Sequence, residues 1–228
     1  MSSLKNPGPI DVQPVQASLR VSEIFYSLQG EARTAGAPTV FIRLTGCPLR
    51  CRYCDTEYAF TGGERMAVTD IIERVSNYGA SLVTVTGGEP LAQKDVQTLL
   101  TGLCNAGYQV SLETGGSLDI RPVDPRVSVV LDIKTPGSGE SQKNLLRNLE
   151  HIHAKDQIKF VICDRADYEW SREFLQQHKL SEICDVWFSP SFGEVDPGQM
   201  ADWILQDHLP VRLQLQLHKL LWGDERGR

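Results

Sequence analysis

Three cysteines, Cys47, Cys51 and Cys54, fall within the run Gly46-Cys47-Pro48-Leu49-Arg50-Cys51-Arg52-Tyr53-Cys54, a C-x3-C-x2-C spacing that brings three thiolates together in one loop. A structural zinc site needs four closed ligands, usually as two separated pairs, and here the nearest histidine in sequence is His151 and no second pair exists. An iron–sulfur cube is normally held by four cysteines. A loop offering three leaves one iron with a coordination position for a small ligand. Unrelated core cysteines would sit among apolar residues, whereas these are flanked by Arg50 and Arg52. Cys104, Cys163 or Cys184 could in principle supply a remote fourth ligand, to zinc or to a closed electron-transfer cluster.

Other residues could do chemistry beside that loop. Thr86-Gly87-Gly88-Glu89-Pro90 follows an apolar run, and its paired glycines let a backbone approach a ligand closely, although a Gly-Gly turn is also plain punctuation. Arg43 alternates with Val40, Ile42 and Leu44 along a strand, so it shares a face with Phe41 and Thr45. Pointing inward it must meet an anion, a substrate carboxylate or an internal acid; pointing outward it is a surface residue. Lys134 closes the run 127–133, at the carboxyl end of a strand, where barrel active sites assemble, unless it is an exposed loop lysine. Gln214, Gln216 and His218 alternate with Leu213, Leu215 and Leu217, either a polar wall of a pocket or a solvated edge. Thr56, read alone, is a turn hydroxyl.

The elements that must carry these residues alternate. Strands are expected at 22–28, 38–46, 82–86, 108–113, 127–133, 157–163, 185–189 and 210–217. Helices are expected at 69–78 behind a Thr69 cap, 93–106 with Cys104 on its apolar face, 141–152, 165–178 and 197–207. Strand–helix alternation argues for parallel βα units. A full eightfold barrel typically uses about 250 residues. The chain has 228, so the expected fold is α/β, a partial, shortened TIM-like β/α barrel. Residues 1–18, with Pro7, Gly8, Pro9 and Pro14, read as a flexible segment, 19–222 as one core domain, and 223–228 as a flexible tail.

With 23 Lys+Arg against 29 Asp+Glu the net charge is −6, which disfavours direct nucleic-acid binding. No apolar run approaches the roughly 18 residues of a membrane span, and residues 1–16 lack the layout of a signal peptide. The reading is a cytoplasmic protein, where cysteines serve as ligands, catalysts or core residues.

The C-x3-C-x2-C loop, with Tyr53 before its last cysteine, resembles the radical S-adenosylmethionine superfamily. That resemblance implies a [4Fe-4S] cluster on Cys47, Cys51 and Cys54, whose open iron chelates S-adenosylmethionine and whose electron splits the sulfonium to a 5′-deoxyadenosyl radical. Gly88 resembles the superfamily's contact to the methionyl amino group. Within it, Glu23-Ile24-Phe25-Tyr26-Ser27-Leu28-Gln29-Gly30-Glu31, Phe41-Ile42-Arg43-Leu44-Thr45-Gly46 and Cys54-Asp55-Thr56 resemble the 7-carboxy-7-deazaguanine synthases over most of 22–220.

The family implies a lyase-type ring contraction of 6-carboxy-5,6,7,8-tetrahydropterin to 7-carboxy-7-deazaguanine with loss of ammonia, in queuosine-type biosynthesis, with S-adenosylmethionine regenerated. It implies S-adenosylmethionine contacts at Tyr53, Cys54, Asp55, Gly88, Asp132, Ile133 and Lys134, Mg2+ at Thr56, and substrate contacts at Leu28, Gln29, Gly30, Arg43, Thr86 and His218. Glu113-Thr114 is a further candidate for the ribose. It also implies a one-electron reductant such as flavodoxin and a homodimer. A glycyl-radical activase would share the cluster, but the residues after Cys54 weigh against it. An iron–sulfur carrier would need a fourth protein ligand.

Overall fold

The computed structural model describes residues 16–228. β1 (Ser18–Leu28) and β2 (Pro38–Leu44) form an antiparallel pair in which Phe25 stacks on its register partner Phe41 at 4.9 Å. β3 (Glu64–Ala67) adds to the far edge of β1, and α1 (Val68–Ser76) follows directly. Then come β4 (Leu82–Gly87), α2 (Val96–Asn105), β5 (Gln109–Thr114), β6 (Ser128–Asp132), β7 (Gln157–Ile162), α3 (Arg165–Gln177), β8 (Asp185–Pro190), α4 (Pro197–Gln206), β9 (Arg212–Leu213) and α5 (Leu217–Trp222). The sheet runs β3-β1-β2-β4-β5-β6-β7-β8-β9, parallel from β2 onward and open between β3 and β9. This is the shortened, unclosed barrel expected from length and alternation.

Apolar residues on the helix-facing side form two clusters. One packs Ile71, Val75, Leu99, Leu100 and Leu103 of α1 and α2 against β1, β2, β4 and β5; the other packs Tyr168, Phe174, Leu175, Met200 and Ile204 of α3 and α4 against β6, β7 and β8. Parallel strands then deliver their carboxyl ends to one rim, where the cysteine loop, Gly88, Gly115, Lys134 and Ser191 emerge.

Several local expectations are corrected. The segment 141–152 is not an α-helix but two 3-10 stretches, Ser141–Lys143 and Leu146–His151. Its asparagines bond to tertiary partners: Asn144 brackets the Lys134 peptide, and Asn148 bonds the backbone of Gly116, Leu118 and Ile120. The last strand is only Arg212–Leu213; after Gln214 N–H reaches Phe188 O the chain leaves the sheet, and 217–222 is helical, so the two-faced alternation over 213–218 is not a strand. β3 escaped notice because Glu64-Arg65-Met66-Ala67 is short and half charged. Thr69 lies inside α1, whose cap position is Ala67. Cys104 is half-buried against the first cluster. Of the N-terminal segment expected to be flexible, 1–15 lie outside the described residues, and Ser18 opens β1. No helix among the described residues is long and apolar enough to cross a membrane.

Phe160 anchors the second cluster, fully buried and edge-on to Phe174 at 5.9 Å and Phe188 at 5.5 Å. Phe160→Ala is expected to lower unfolding free energy by about 3–5 kcal/mol in a urea titration. A loss under about 1 kcal/mol would show that this cluster is not closely packed.

Candidate active site

The rim encloses a cavity of about 670 Å³, and Cys47, Cys51 and Cys54 line it with Tyr53, Asp55 and Thr56 from the same loop. Gly88, Asp132 and Lys134 form another wall, and Leu28, Gln29, Gly30, Arg43, Thr86 and His218 complete the substrate side proposed from sequence. Ile133 is the exception. Its side chain faces the second core cluster, as strand alternation demands when Asp132 and Lys134 face the cavity.

The cysteine loop is fixed by two strand ends that nearly touch. Gly88 N–H donates to Leu44 O at 3.0 Å and Glu89 N–H to Gly46 O at 2.7 Å. A Cβ on Gly88 would lie 2.3 Å from Gly46 O and 2.9 Å from Cys47 Cβ, so only glycine fits. Glu89 is fully buried and saturated by Thr114 Oγ1, Gly115 N–H and Leu91 N–H. Burial pushes its carboxyl up, against the pull of those hydrogen bonds.

All three loop cysteines are free thiols, half-buried, with burial pushing each up. Among the described residues no three His, Cys, Asp or Glu side chains converge on a single ion. A cube takes one cysteine per iron, so its ligands need not converge in that way. Cys104, Cys163 and Cys184 do not line the cavity. The donor set therefore fits a cluster with three protein ligands, held by Cys47, Cys51 and Cys54.

Beside the loop, Lys134 is buried and ion-paired to Asp132 at 2.8 Å, with its ammonium 5.6 Å from the Tyr53 ring centroid. Burial alone would lower the Lys134 pKa, but Asp132 and Tyr53 hold it well above its usual value. Asp132 Oδ1 and the Tyr53 hydroxyl are buried without a hydrogen-bond partner. Buried polar atoms are rarely left so, and both lie on this wall, which makes it a fit for a polar ligand such as S-adenosylmethionine.

On the opposite side Arg43 points inward, as one reading of its strand allowed. Its Nε donates to Glu23 Oε1 at 2.7 Å, and Tyr58 donates to the same oxygen at 2.8 Å. Arg43 makes no other hydrogen bond among the described residues, so the internal acid orients a guanidinium that lines the cavity. Gln29 is buried, its amide donating to Thr84 and Glu113 at 3.2 Å and accepting from Glu31 N–H, so its side chain is engaged within the chain. Thr86 donates to Glu113 at 2.8 Å. Gly30 lies so close to His218 that a Cβ would meet its Nδ1 at 2.3 Å. Thr56 donates to Asp55 Oδ1 at 2.8 Å, leaving its lone pairs for a cation. The tail 223–228 borders the cavity too, with Arg226 4.0 Å from the Tyr58 ring centroid.

Sequence reading missed an interior charge pair. Lys159 on β7 binds Glu31, and Gln216 bridges Glu31 at 2.9 Å and Asp55 at 3.3 Å. Burial pushes Glu31 up, but Lys159 holds it below the ordinary carboxylate range; burial and then the Glu31 charge raise Glu113. A lysine in the middle of an apolar strand, Gln157-Ile158-Lys159-Phe160, was the available signal. Gly88→Ala is expected to fold but to retain well under half of the iron of the unmodified chain after reconstitution, by chemical iron assay. Full iron content would show that the close approach does not set the loop.

A family model described as the radical SAM superfamily matches residues 41–163. The 7-carboxy-7-deazaguanine synthase of Chlorobaculum tepidum is 45% identical over 216 residues, covering 93% of this chain and 98% of that one. The synthase of Koribacter versatilis is 42% identical, covering 91% and 98%. The crystal structure of QueE from Escherichia coli shares the fold with a TM-score of 0.73 at 24% identity, over 88% of this chain and 95% of that one. With its cysteine loop, its glycine-tight strand ends and relatives that match it nearly end to end, the chain belongs to the 7-carboxy-7-deazaguanine synthases of the radical SAM superfamily.

Proposed function

We propose that this chain contracts the ring of 6-carboxy-5,6,7,8-tetrahydropterin to 7-carboxy-7-deazaguanine with release of one ammonia, and that S-adenosylmethionine is used catalytically. The observation that carries this reading is one cavity lined by three free thiols and by a guanidinium whose terminal nitrogens make no hydrogen bond among the described residues. When bound, the reduced cluster and S-adenosylmethionine supply the hydrogen-abstracting radical.

The chain's own residues bind and orient. Arg43, held at Nε by Glu23, offers its two terminal nitrogens to the pterin carboxylate, the geometry a planar guanidinium favours. Backbone groups of Leu28 and Gly30 meet the pterin edge, Gln29 N–H being given to Ala37 O, and Gly30 is pressed against His218 so that no side chain intrudes. Thr86 and the Gln29 amide fix Glu113 toward the same edge. Tyr53, Cys54, Asp55, Gly88, Asp132 and Lys134 hold S-adenosylmethionine, Ile133 through its backbone alone. Mg2+ fits at the Thr56 hydroxyl, where water and the substrate carboxylate would supply most of the remaining oxygens this ion prefers. Walls on several sides keep water and stray hydrogen donors from the reacting carbon.

A cavity of about 670 Å³ is matched to small molecules, which favours a pterin over the glycine of a partner protein. We further assign a cytoplasmic setting, a one-electron donor such as flavodoxin, and a homodimer to the working enzyme.

Anaerobically reconstituted protein given S-adenosylmethionine, reductant, Mg2+ and the tetrahydropterin is expected to yield ammonia and the deazapurine in equal amounts by mass spectrometry. Deoxyadenosine without deazapurine would reject the substrate. Arg43→Ala is expected to cut kcat/KM at least about a hundredfold, the scale of a lost charge-assisted bidentate contact, while iron content stays unchanged. Unchanged kcat/KM would remove Arg43 from the carboxylate.

A further inference from the structure

The cysteine loop has a second support, remote from the glycines and unused by the chemistry above. Between Cys47 and Cys51, Arg50 N–H donates to Glu140 Oε1 at 2.7 Å; between Cys51 and Cys54, Arg52 N–H donates to Ser138 O at 3.0 Å. Both acceptors belong to the short segment that follows Lys134. Glu140 is 7% exposed, and its other oxygen takes Lys143 Nζ at 2.8 Å. Lys143 also reaches Pro48 O at 3.3 Å.

That segment is itself clamped from below. Ser138 Oγ donates to Thr135 O at 2.6 Å and accepts from Glu140 N–H at 3.0 Å. Asp167 of α3 is buried, and its carboxylate accepts from Thr135 Oγ1 at 2.8 Å, Gly137 N–H at 2.7 Å and Cys163 N–H at 3.1 Å. A Cβ on Gly137 would lie 2.3 Å from Asp167 Oδ2, so the clamp admits only glycine there. Helix α3, the turn and the peptides between the cysteines thus form one hydrogen-bonded chain. The same turn continues from the strand end bearing Asp132 and Lys134, so it ties the spacing of the loop to the wall beside it.

We infer that Glu140 is a positioning residue for the cluster: by holding the Arg50 peptide it fixes the separation of Cys47 and Cys51 before iron arrives. The inference rests on the cluster reading above. A charge-assisted bond between a buried carboxylate and a peptide N–H is strong enough that its loss shifts an equilibrium by roughly a factor of ten or more. The bond needs an acceptor at the reach of a glutamate side chain, and the charge strengthens it. Glu140→Gln keeps the reach, Glu140→Asp keeps the charge and shortens the reach, and Glu140→Ala loses both.

The test uses the full chain, reconstituted anaerobically and challenged with an iron chelator, with iron loss followed by the visible absorbance of the cluster. Glu140→Ala and Glu140→Asp are expected to lose iron roughly ten times faster than the unmodified chain, with broadened electron paramagnetic resonance signals of the reduced cluster. Glu140→Gln, which keeps an acceptor at the same reach but loses the charge and the Lys143 contact, is expected to lose iron measurably more slowly than Glu140→Asp, and the apo forms of all four to unfold cooperatively, with the Asp and Gln variants melting within a few degrees of each other. Should Glu140→Ala not fold, the contrast between the Asp and Gln variants decides. Iron loss and spectra unchanged in Glu140→Asp, or a Gln variant as leaky as the Asp one, would overturn the inference. An unmodified chain that takes up no cluster would overturn the cluster reading instead.

Discussion

The site depends on a contact between two strand ends. β2 and β4 are parallel neighbours, and beyond Leu44 and Gly87 their backbones approach until Gly88 and Gly46 are separated by less than a methyl group requires. Two peptide hydrogen bonds close that gap, from Gly88 N–H and Glu89 N–H. The contact turns the chain sharply at Gly46, at φ 98°, and so starts the cysteine loop at a defined point on the rim. Glu89 then reaches under β5 to Thr114 and Gly115, which carries the same fixation one strand further across the sheet.

Around this contact the cavity is lined with charge, and three of its cations are ion-paired. Lys134 meets Asp132, Lys159 meets Glu31, and Arg43 meets Glu23. Breaking such a pair by deleting one partner costs about 3–5 kcal/mol, so the pairs lock their side chains as well as neutralise them. Two of the pairs nevertheless leave something over: Asp132 Oδ1 has no partner, and Arg43 bonds through Nε alone among the described residues. The paired atoms orient the groups, and the unpaired ones are what a ligand meets.

How much of this could be read from the chain alone differs by element. The cysteine loop, the Gly-Gly turn and the face Arg43 shares with Phe41 and Thr45 are legible because they depend on residue type and on local alternation, whereas alternation alone leaves open whether that face points inward. The helix expected at 141–152 and the strand at 210–217 failed for the opposite reason. Asn144 and Asn148 spend their amides on distant backbone, and Gln216 on Glu31, contacts that no local period encodes. Ile133 was grouped with its neighbours by position, although alternation sends its side chain to the core. Glu31, Lys159 and Glu140 were passed over because a charged residue read alone defaults to solvent, and only the fold brings their partners within reach.

The proposed chemistry needs one iron that the three cysteines leave to S-adenosylmethionine. Mössbauer spectra of the reconstituted chain, labelled with iron-57 and recorded without and with S-adenosylmethionine, test it most directly. One iron of four is expected to change its isomer shift on addition, and to do so equally when Cys104, Cys163 and Cys184 are all replaced by alanine. Four irons that are equivalent and indifferent to the added molecule would contradict it.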